Sequence, residues 1–306
     1  MASWRTGTTK QYRTYLSRWE VFCNQKGFNH LNASVENGID FLASLFQNGL
    51  GYSAINTARS ALSTVISMTG NITFGTHPLV IRFLKGVFEL KPSLPRYTFI
   101  WDVGAVLQYI STLPPILELD LKTPTKKLTI LLCLMTGQRC QTITKLDINL
   151  VQVMPEKYIF TIGETIKTTR PGKHLAPIEL EAYNEDEKVC VVSHLRQYLT
   201  KTAPLRGECS KLLISYIKPH KSVCNSTVGK WVKSILKDAG IDVNKFSGNS
   251  ARPATTSYSM KTGLTLQDIL KAGGWSNAQT FAKHYHKPIV RKFGTNILEH
   301  YQSNSL

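Results

Sequence analysis

Residues 246–288 place an arginine, a tryptophan and a tyrosine (Arg252, Trp275 and Tyr285) around two helix signatures. Thr265 with Asp268 three positions on has the pattern of a helix-opening capping box, Ile269 and Leu270 offer an apolar face, and Gly273-Gly274 supply the stop. Ser276 with Gln279 opens a second helix in the same way. On it Phe281 and Tyr285 lie four apart and share a face, with Lys283, His284 and Lys287 putting positive charge around the tyrosine. A phenol, with a pKa of about 10, is a poor nucleophile at neutral pH unless dense positive charge favours its phenolate. Tyr285 is therefore either a core aromatic or a nucleophile, and this stretch alone leaves both readings open.

Two earlier residues join the set: Arg139 near a helix start and Lys167 on a hairpin. Taken singly, an arginine is more often a surface residue, a hairpin lysine faces water, and a Trp or Tyr at helical spacing belongs to a core. Charge narrows the partner. The 306 residues carry 37 Lys and Arg against 20 Asp and Glu, a formal +17 spread along the chain. Nucleic acid is the first polyanion to consider. An acidic membrane surface fits less well, because no amphipathic basic helix or lipidation signal accompanies the charge. The six cysteines stand singly, with no C-x-x-C pair and no histidine pair at metal spacing, so neither zinc nor a disulfide framework is expected and a reducing compartment fits best. The sequence shows no apolar leader, no membrane-length apolar run and no dense basic localisation signal.

The elements that must position these residues follow in chain order. Tyr12, Tyr15, Leu16, Trp19 and Phe22 repeat at helical spacing, with Lys10, Arg13 and Arg18 outward. Val35, Ile39, Leu42, Leu45 and Phe46 form a second stripe, and Ser53 is placed to cap a third helix running through Ile55, Ala58 and Leu62 to Ile66. His77-Pro78 starts a fourth helix. These predict an all-α unit over 1–90. The proline-containing segment 91–98 reads as a linker, and 99–306 as a mixed α+β unit. In that second unit helices are expected over 103–110, 126–135, 191–199 and 228–239. A β-hairpin built from 158–162 and 175–180 carries a basic tip turned by Pro171-Gly172. The fold class is thus mainly α with a small β-sheet.

Together the residues resemble the tyrosine recombinases, whose order is Arg, hairpin Lys, His-x-x-Arg, His or Trp, then the nucleophilic Tyr. Here Arg252 and Trp275 are 23 apart and Tyr285 follows by 10, which agrees. The segments TARSALS after GYSAIN, TGQR-x-QT-x-x-KLDI, KT-x-RPGKH and ILKAGGWS-x-A-x-TFAKHYHKPI look more narrowly like recombinases of the eukaryotic DIRS, Ngaro and Crypton elements. The resemblance spans nearly the whole chain and implies a helical core-binding domain that clamps DNA, followed by a catalytic domain. It implies a 3′-phosphotyrosine link made by Tyr285, phosphate held by Arg139 and Arg252, and a proton for the leaving 5′-oxygen from Lys167. Trp275 packs against the phosphate site or gives its indole N–H. Double-stranded DNA is the implied partner, in a dimer to tetramer, with no cofactor, metal or ATP, and the nucleus is the implied location.

Two positions depart from the pattern. Asn249 stands where His-x-x-Arg has histidine, and an amide donates a hydrogen bond but cannot exchange a proton near neutral pH. Thr142, three past Arg139, replaces an acidic residue found in many relatives. Slower cleavage follows, or a silent DNA-binding protein that keeps the fold. A topoisomerase-like monomer is a third reading. Residues 289–301 are expected to continue as a helix that docks in a neighbouring subunit or packs in cis. Tyr258 and Tyr301 are rival tyrosines that do not follow the tryptophan at the right distance.

Overall fold

The computed structural model describes residues 4–66, 73–94, 97–114, 120–172, 174–275, 278–285 and 287. Its contacts divide the chain into two compact units, Met1–Pro95 and Arg96–Leu306, and the division falls inside the 91–98 segment.

The first unit holds α1 (Thr6–Lys26), α2 (Val35–Gln47), α3 (Tyr52–Leu62) and α4 (Pro78–Leu90). The apolar stripes converge on a core of Trp19, Phe41, Leu42, Ile55, Leu62, Phe74 and Leu84. Trp19 meets Phe41 edge-on, with ring centroids 5.3 Å apart, and its buried N–H donates to the carbonyl of His30 at 3.1 Å. Lys10, Arg13 and Arg18 face solvent along α1. Ser34 and Asn37 form a reciprocal capping box on α2. The expected cap on α3 is wrong by two residues. Gly51 takes the cap position because the amides of Ala54 and Ile55 both donate to its carbonyl, and the Ser53 hydroxyl instead pairs with Ser93.

The second unit wraps around α6 (Lys122–Thr136), which is buried on nearly every side from Pro124 to Leu134, with Thr125, Lys127 and Thr129 among its buried residues. It starts four residues earlier than the apolar pattern indicated, because Thr123 and Thr125 close the first turn with Asp120 and Leu121. Around it lie α5 (Val103–Thr112), the short α7 (Cys140–Ile143), α8 (Val191–Thr202), α9 (Asn225–Asp238), α10 (Ala251–Lys261), α11 (Leu266–Gly273) and α12 (Ala278–His284). The sheet is antiparallel in the order β1 (Val151–Val153), β2 (Lys157–Phe160), β3 (Ile178–Glu181). Tyr158 faces Leu180 and Phe160 faces Ile178, and all four side chains are buried, whereas Glu179 and Glu181 face out with Lys157 between them. The hairpin expected from the alternation is present, with a long connection over 161–177. Strand β1 was not anticipated, since its three residues are half or fully exposed and leave no burial pattern. Leu175 lies outside β3. The fold is mainly helical with a small sheet. No described helix is long and apolar enough to cross a membrane. The residues expected to form the terminal helix, Tyr301 among them, and the Ser276 cap lie outside the described residues.

Phe74 is fully buried in the first unit's core. Phe74→Ala should cost that unit about 3–5 kcal/mol, read as faster hydrogen exchange of the α2 and α3 amides, and unchanged exchange would contradict this packing account.

Candidate active site

The carbonyl ends of α6 and α11 meet on one side chain. Arg252, near the start of α10 and only 2% exposed, donates from Nη1 to the carbonyl of Gly137 at 2.8 Å and from Nη2 to that of Gly273 at 2.7 Å. Its guanidinium lies 3.6 Å from the centroid of the Trp275 ring. A desolvated cation over an indole is worth about 2 kcal/mol, which offsets part of the cost of burial. Burial first, and then the positive charge of Arg139, push the Arg252 pKa down to about 9, so it still carries its charge at neutral pH. Arg252 Nε and Trp275 Nε1 are buried donors with no hydrogen-bond partner among the described residues. Two orphan donors at one place suit an anion.

Tyr285 sits beside this pair. Its ring meets Trp275 edge-on at 4.8 Å, Arg139 Nη2 donates to its hydroxyl at 3.5 Å, and its carbonyl accepts from Ser257 Oγ at 2.7 Å. The same Ser257 oxygen accepts the amide of Lys287 at 3.0 Å, while Lys287 Nζ donates to the carbonyl of Tyr97 at 2.7 Å. The tyrosine is therefore held at its backbone and leaves its hydroxyl toward the arginines. Phe281 is the core aromatic of α12, buried to 1% exposure, whereas Tyr285 is half-buried. The side chains of Lys283 and His284, called on to surround the tyrosine, lie outside the described residues.

Arg139 caps α7 with extended backbone, two residues beyond Gly137, and is half-buried. Gln138 beside it is buried and donates from Nε2 to the carbonyl of Ala272 at 2.7 Å, a second tie between the end of α6 and the end of α11. Asn249 occupies a tight turn of residues 248–250 and is exposed. Ser250 fixes that turn by accepting from Trp101 Nε1 at 2.9 Å and donating to the carbonyl of Ser247 at 2.6 Å. A side chain at Gly248 would put its Cβ 2.3 Å from the carbonyl oxygen of Gly229, so only glycine lets this turn press against α9. Lys167 is exposed at a turn in the 161–177 connection.

Arg139, Lys167, Asn249, Arg252 and Tyr285 line one cleft with a cavity volume of about 310 Å³. Five of the six residues singled out from the sequence thus meet at one surface, and the sixth, Trp275, backs Arg252 and Tyr285 from behind. Gln138, Cys140, Gln141 and Asn225 also line the cleft and were not singled out. The first three follow from adjacency to Arg139; Asn225 carries no local signal and enters only because α9 begins there. Thr142 is buried, with its amide on the carbonyl of Arg139 at 2.8 Å, and does not reach the cleft lining. Tyr258 packs on the core instead. Among the described residues no carboxylate lines the cleft, and no group of His, Cys, Asp and Glu could hold a metal ion. What remains is a cationic surface with one phenol in it, able to hold an oxyanion beside a hydroxyl.

The model of the phage integrase family matches residues 110–289, well over half the chain. The chain belongs to the phage integrase family. Solved structures of this tyrosine recombinase fold agree with that membership. The XerH site-specific recombinase bound to palindromic difH substrate aligns at 17% identity and a TM-score of 0.60, over 89% of this chain and 72% of that one. A lambda integrase dimer bound to a COC′ core site aligns at 13% identity and a TM-score of 0.57, over 95% and 92%. The Tn1549 transposon integrase in complex with transposon right end DNA aligns at 13% and 0.54, over 88% and 85%. A comparison with curated protein sequences gives no match. At these identities the structural likeness speaks for the fold of this family member, and the roles of its residues rest on the cleft itself.

Two measurements probe the packing behind the cleft and the start of α9, whose first residue Asn225 lines it. A Cβ at Gly273 would fall 1.7 Å from the Trp275 ring, so Gly273→Ala should push the indole off Arg252, cost about 1–3 kcal/mol and lower the thermal midpoint with a change in tryptophan near-ultraviolet dichroism; an unchanged spectrum would refute the close contact. Cys224, exposed at the cap of α9, has its thiol pKa lowered to about 6, first by the Ser226 hydroxyl and then by Thr227, whereas burial raises buried Cys23 to about 11. Iodoacetamide at pH 7 should mark Cys224 well before Cys23 in a peptide mass map, and equal labelling of the two would contradict that assignment.

Proposed function

We propose that the protein is a site-specific DNA recombinase of a mobile element, which cleaves and rejoins DNA through a 3′-phosphotyrosine on Tyr285. The observation that carries the reading is the single cleft into which Arg139, Lys167, Asn249, Arg252 and Tyr285 converge, in a chain of the phage integrase family. The Tyr285 oxygen attacks the phosphorus of a backbone phosphodiester, forming the tyrosyl bond as the bond to the 5′-oxygen breaks. Negative charge growing on the non-bridging oxygens is met by Arg139 and by the unpartnered Nε–H of Arg252, with the Trp275 N–H as a further donor. Lys167 gives its proton to the leaving 5′-oxygen. The phosphoester energy stays in the covalent link, so a returning 5′-hydroxyl reseals the strand without ATP. The residues used are acids, donors and a nucleophile, with no role for a metal ion.

The first unit, with its exposed Lys10, Arg13 and Arg18, serves on this reading as the core-binding domain and the second as the catalytic domain. A dimer to tetramer on duplex DNA is the working assembly; a lambda integrase tetramer bound to a Holliday junction is among the structures of similar fold. On this reading the activity belongs in a eukaryotic nucleus, which the motif likeness to DIRS, Ngaro and Crypton elements supports. A second reading, a weakened or silent DNA-binding protein, is favoured by one observation: the amide of Asn249 is exposed in the cleft where the family carries an imidazole.

Incubation with a nicked suicide duplex taken from candidate element ends separates the two. The intact protein should form a covalent protein–DNA adduct, Tyr285→Phe should form none, and Asn249→His should raise the rate. Absence of adduct from intact protein would leave the silent reading, and an adduct from Tyr285→Phe would remove the nucleophile.

A further inference from the structure

Resting on the recombinase reading, we infer that Glu164 is a positioning residue for Lys167, tying the connection that carries the lysine to the segment that carries Arg139. Glu164 sits three residues before Lys167. One carboxylate oxygen takes Lys145 Nζ and the other takes Lys211 Nζ at 2.5 Å, partners 19 and 47 positions away. Neither lysine is adrift. Lys145 lies two residues past α7 and its amide donates to the carbonyl of Thr142 at 2.9 Å, in the short element that Arg139 caps. Lys211 forms a backbone bridge with Asp147 and a second ion pair with its Oδ2 at 3.0 Å. Flanking that bridge, Ile148 N donates to the carbonyl of Ser210 and Leu212 N to that of Leu146, each at 2.8 Å, and Ser210 Oγ donates to Asp147 Oδ2 at 2.8 Å.

Between Glu164 and Lys167, Ile166 is buried, and it closes a turn with Thr169. Ile166 N donates to Thr169 Oγ1 and Thr169 N to the carbonyl of Ile166, each at 3.0 Å. Lys167 thus projects from a turn whose N-terminal side is moored by one buried side chain and one doubly paired carboxylate. The lysines, Lys145 first and then Lys211, hold the Glu164 carboxyl below its usual range, so it is ionised at neutral pH. The pairs are partly exposed, and a single such pair fixes little. Here one carboxylate joins two cations on separate rigid segments, which defines where the connection crosses the body. Proton delivery needs hydrogen-bond reach, and a displacement of about 1 Å can cost a hundredfold in rate.

The test compares two suicide duplexes, one with the ordinary phosphodiester and one with a 5′-bridging sulfur, whose thiolate leaves without a proton. Glu164→Ala should slow adduct formation on the ordinary duplex roughly tenfold or more, and react within about twofold of the unaltered protein on the sulfur duplex, the pattern also expected of Lys167→Ala. Glu164→Asp should recover part of the loss. Equal loss on both duplexes, or none on either, overturns the inference, as does failure of the sulfur to rescue Lys167→Ala. Hydrogen exchange of the free protein gives a readout independent of cleavage: amides 165–170 should exchange faster in Glu164→Ala, and unchanged exchange overturns the anchoring. No adduct from the unaltered protein on either duplex removes the recombinase reading and the catalytic role with it, while exchange still decides whether Glu164 anchors the turn.

Discussion

The two hydrogen bonds from the buried Arg252 guanidinium to the carbonyls of Gly137 and Gly273 set the rest of the site. Both carbonyls sit at helix ends, where the last carbonyls have no intrahelical donor, so the side chain satisfies groups that α6 and α11 leave open. Arg139 lies two residues past the first and Trp275 two residues past the second. Their positions follow from the same two bonds, and Gln138 repeats the tie through Ala272. Loss of the guanidinium would orphan two carbonyls and unload the indole at once. This residue is thus a structural pin as well as a cation, and two bonds to backbone still leave a guanidinium three N–H donors, one of them the unpartnered Nε.

On the proposed mechanism, stability and reactivity are therefore built from one group. A charge held out of water is costly unless its donors are used, and here part of the donor set is used by the fold and part is left. The orphan donors of Arg252 and Trp275 are what a finished core would not keep. On the proposed mechanism, an oxyanion that reached them would satisfy donors already desolvated. The neighbouring guanidinium of Arg139 has the opposite character: half-buried and able to reach the Tyr285 hydroxyl, it faces the cleft rather than the fold.

Much of this was legible in the residues. The stripes of α1 and α2 marked their buried faces because packing there obeys the 3.6-residue period, and the order of Arg139, Lys167, Arg252, Trp275 and Tyr285 pointed to side chains that line or back one cleft. What was hidden has physical reasons. Strand β1 escapes because edge residues that stay exposed show no alternation. Gly51 rather than Ser53 caps α3 because the backbone itself closes the first turn. The start of α6 is masked by Lys122 and by Lys127, a lysine that is nonetheless buried. The convergence on Gly137 and Gly273 is invisible in sequence, since it joins a side chain to carbonyls 115 and 21 positions away that any residue could offer. Asn225 enters the cleft for the same reason, by the packing of α9 against the 248–250 turn.

Asn249 concentrates the remaining question of mechanism. Its turn is fixed on both sides, by Gly248 against Gly229 and by Ser250 under Trp101, so the side chain is presented to the cleft by a rigid frame rather than by chance. An amide there can hold a phosphate oxygen, but it takes up and releases no proton. No carboxylate lines the cleft among the described residues, and the proposed mechanism gives the proton of the leaving oxygen to Lys167. On the proposed mechanism, a site with an amide at this position depends more heavily on where its lysine stands. The lysine stands on a connection between β2 and β3 rather than on a helix, so its position has to be imposed by side-chain contacts such as the Glu164 bridge. Rigid placement of the arginines by the core and tethered placement of the lysine by surface charge are then two solutions, within one cleft, to the same demand for alignment.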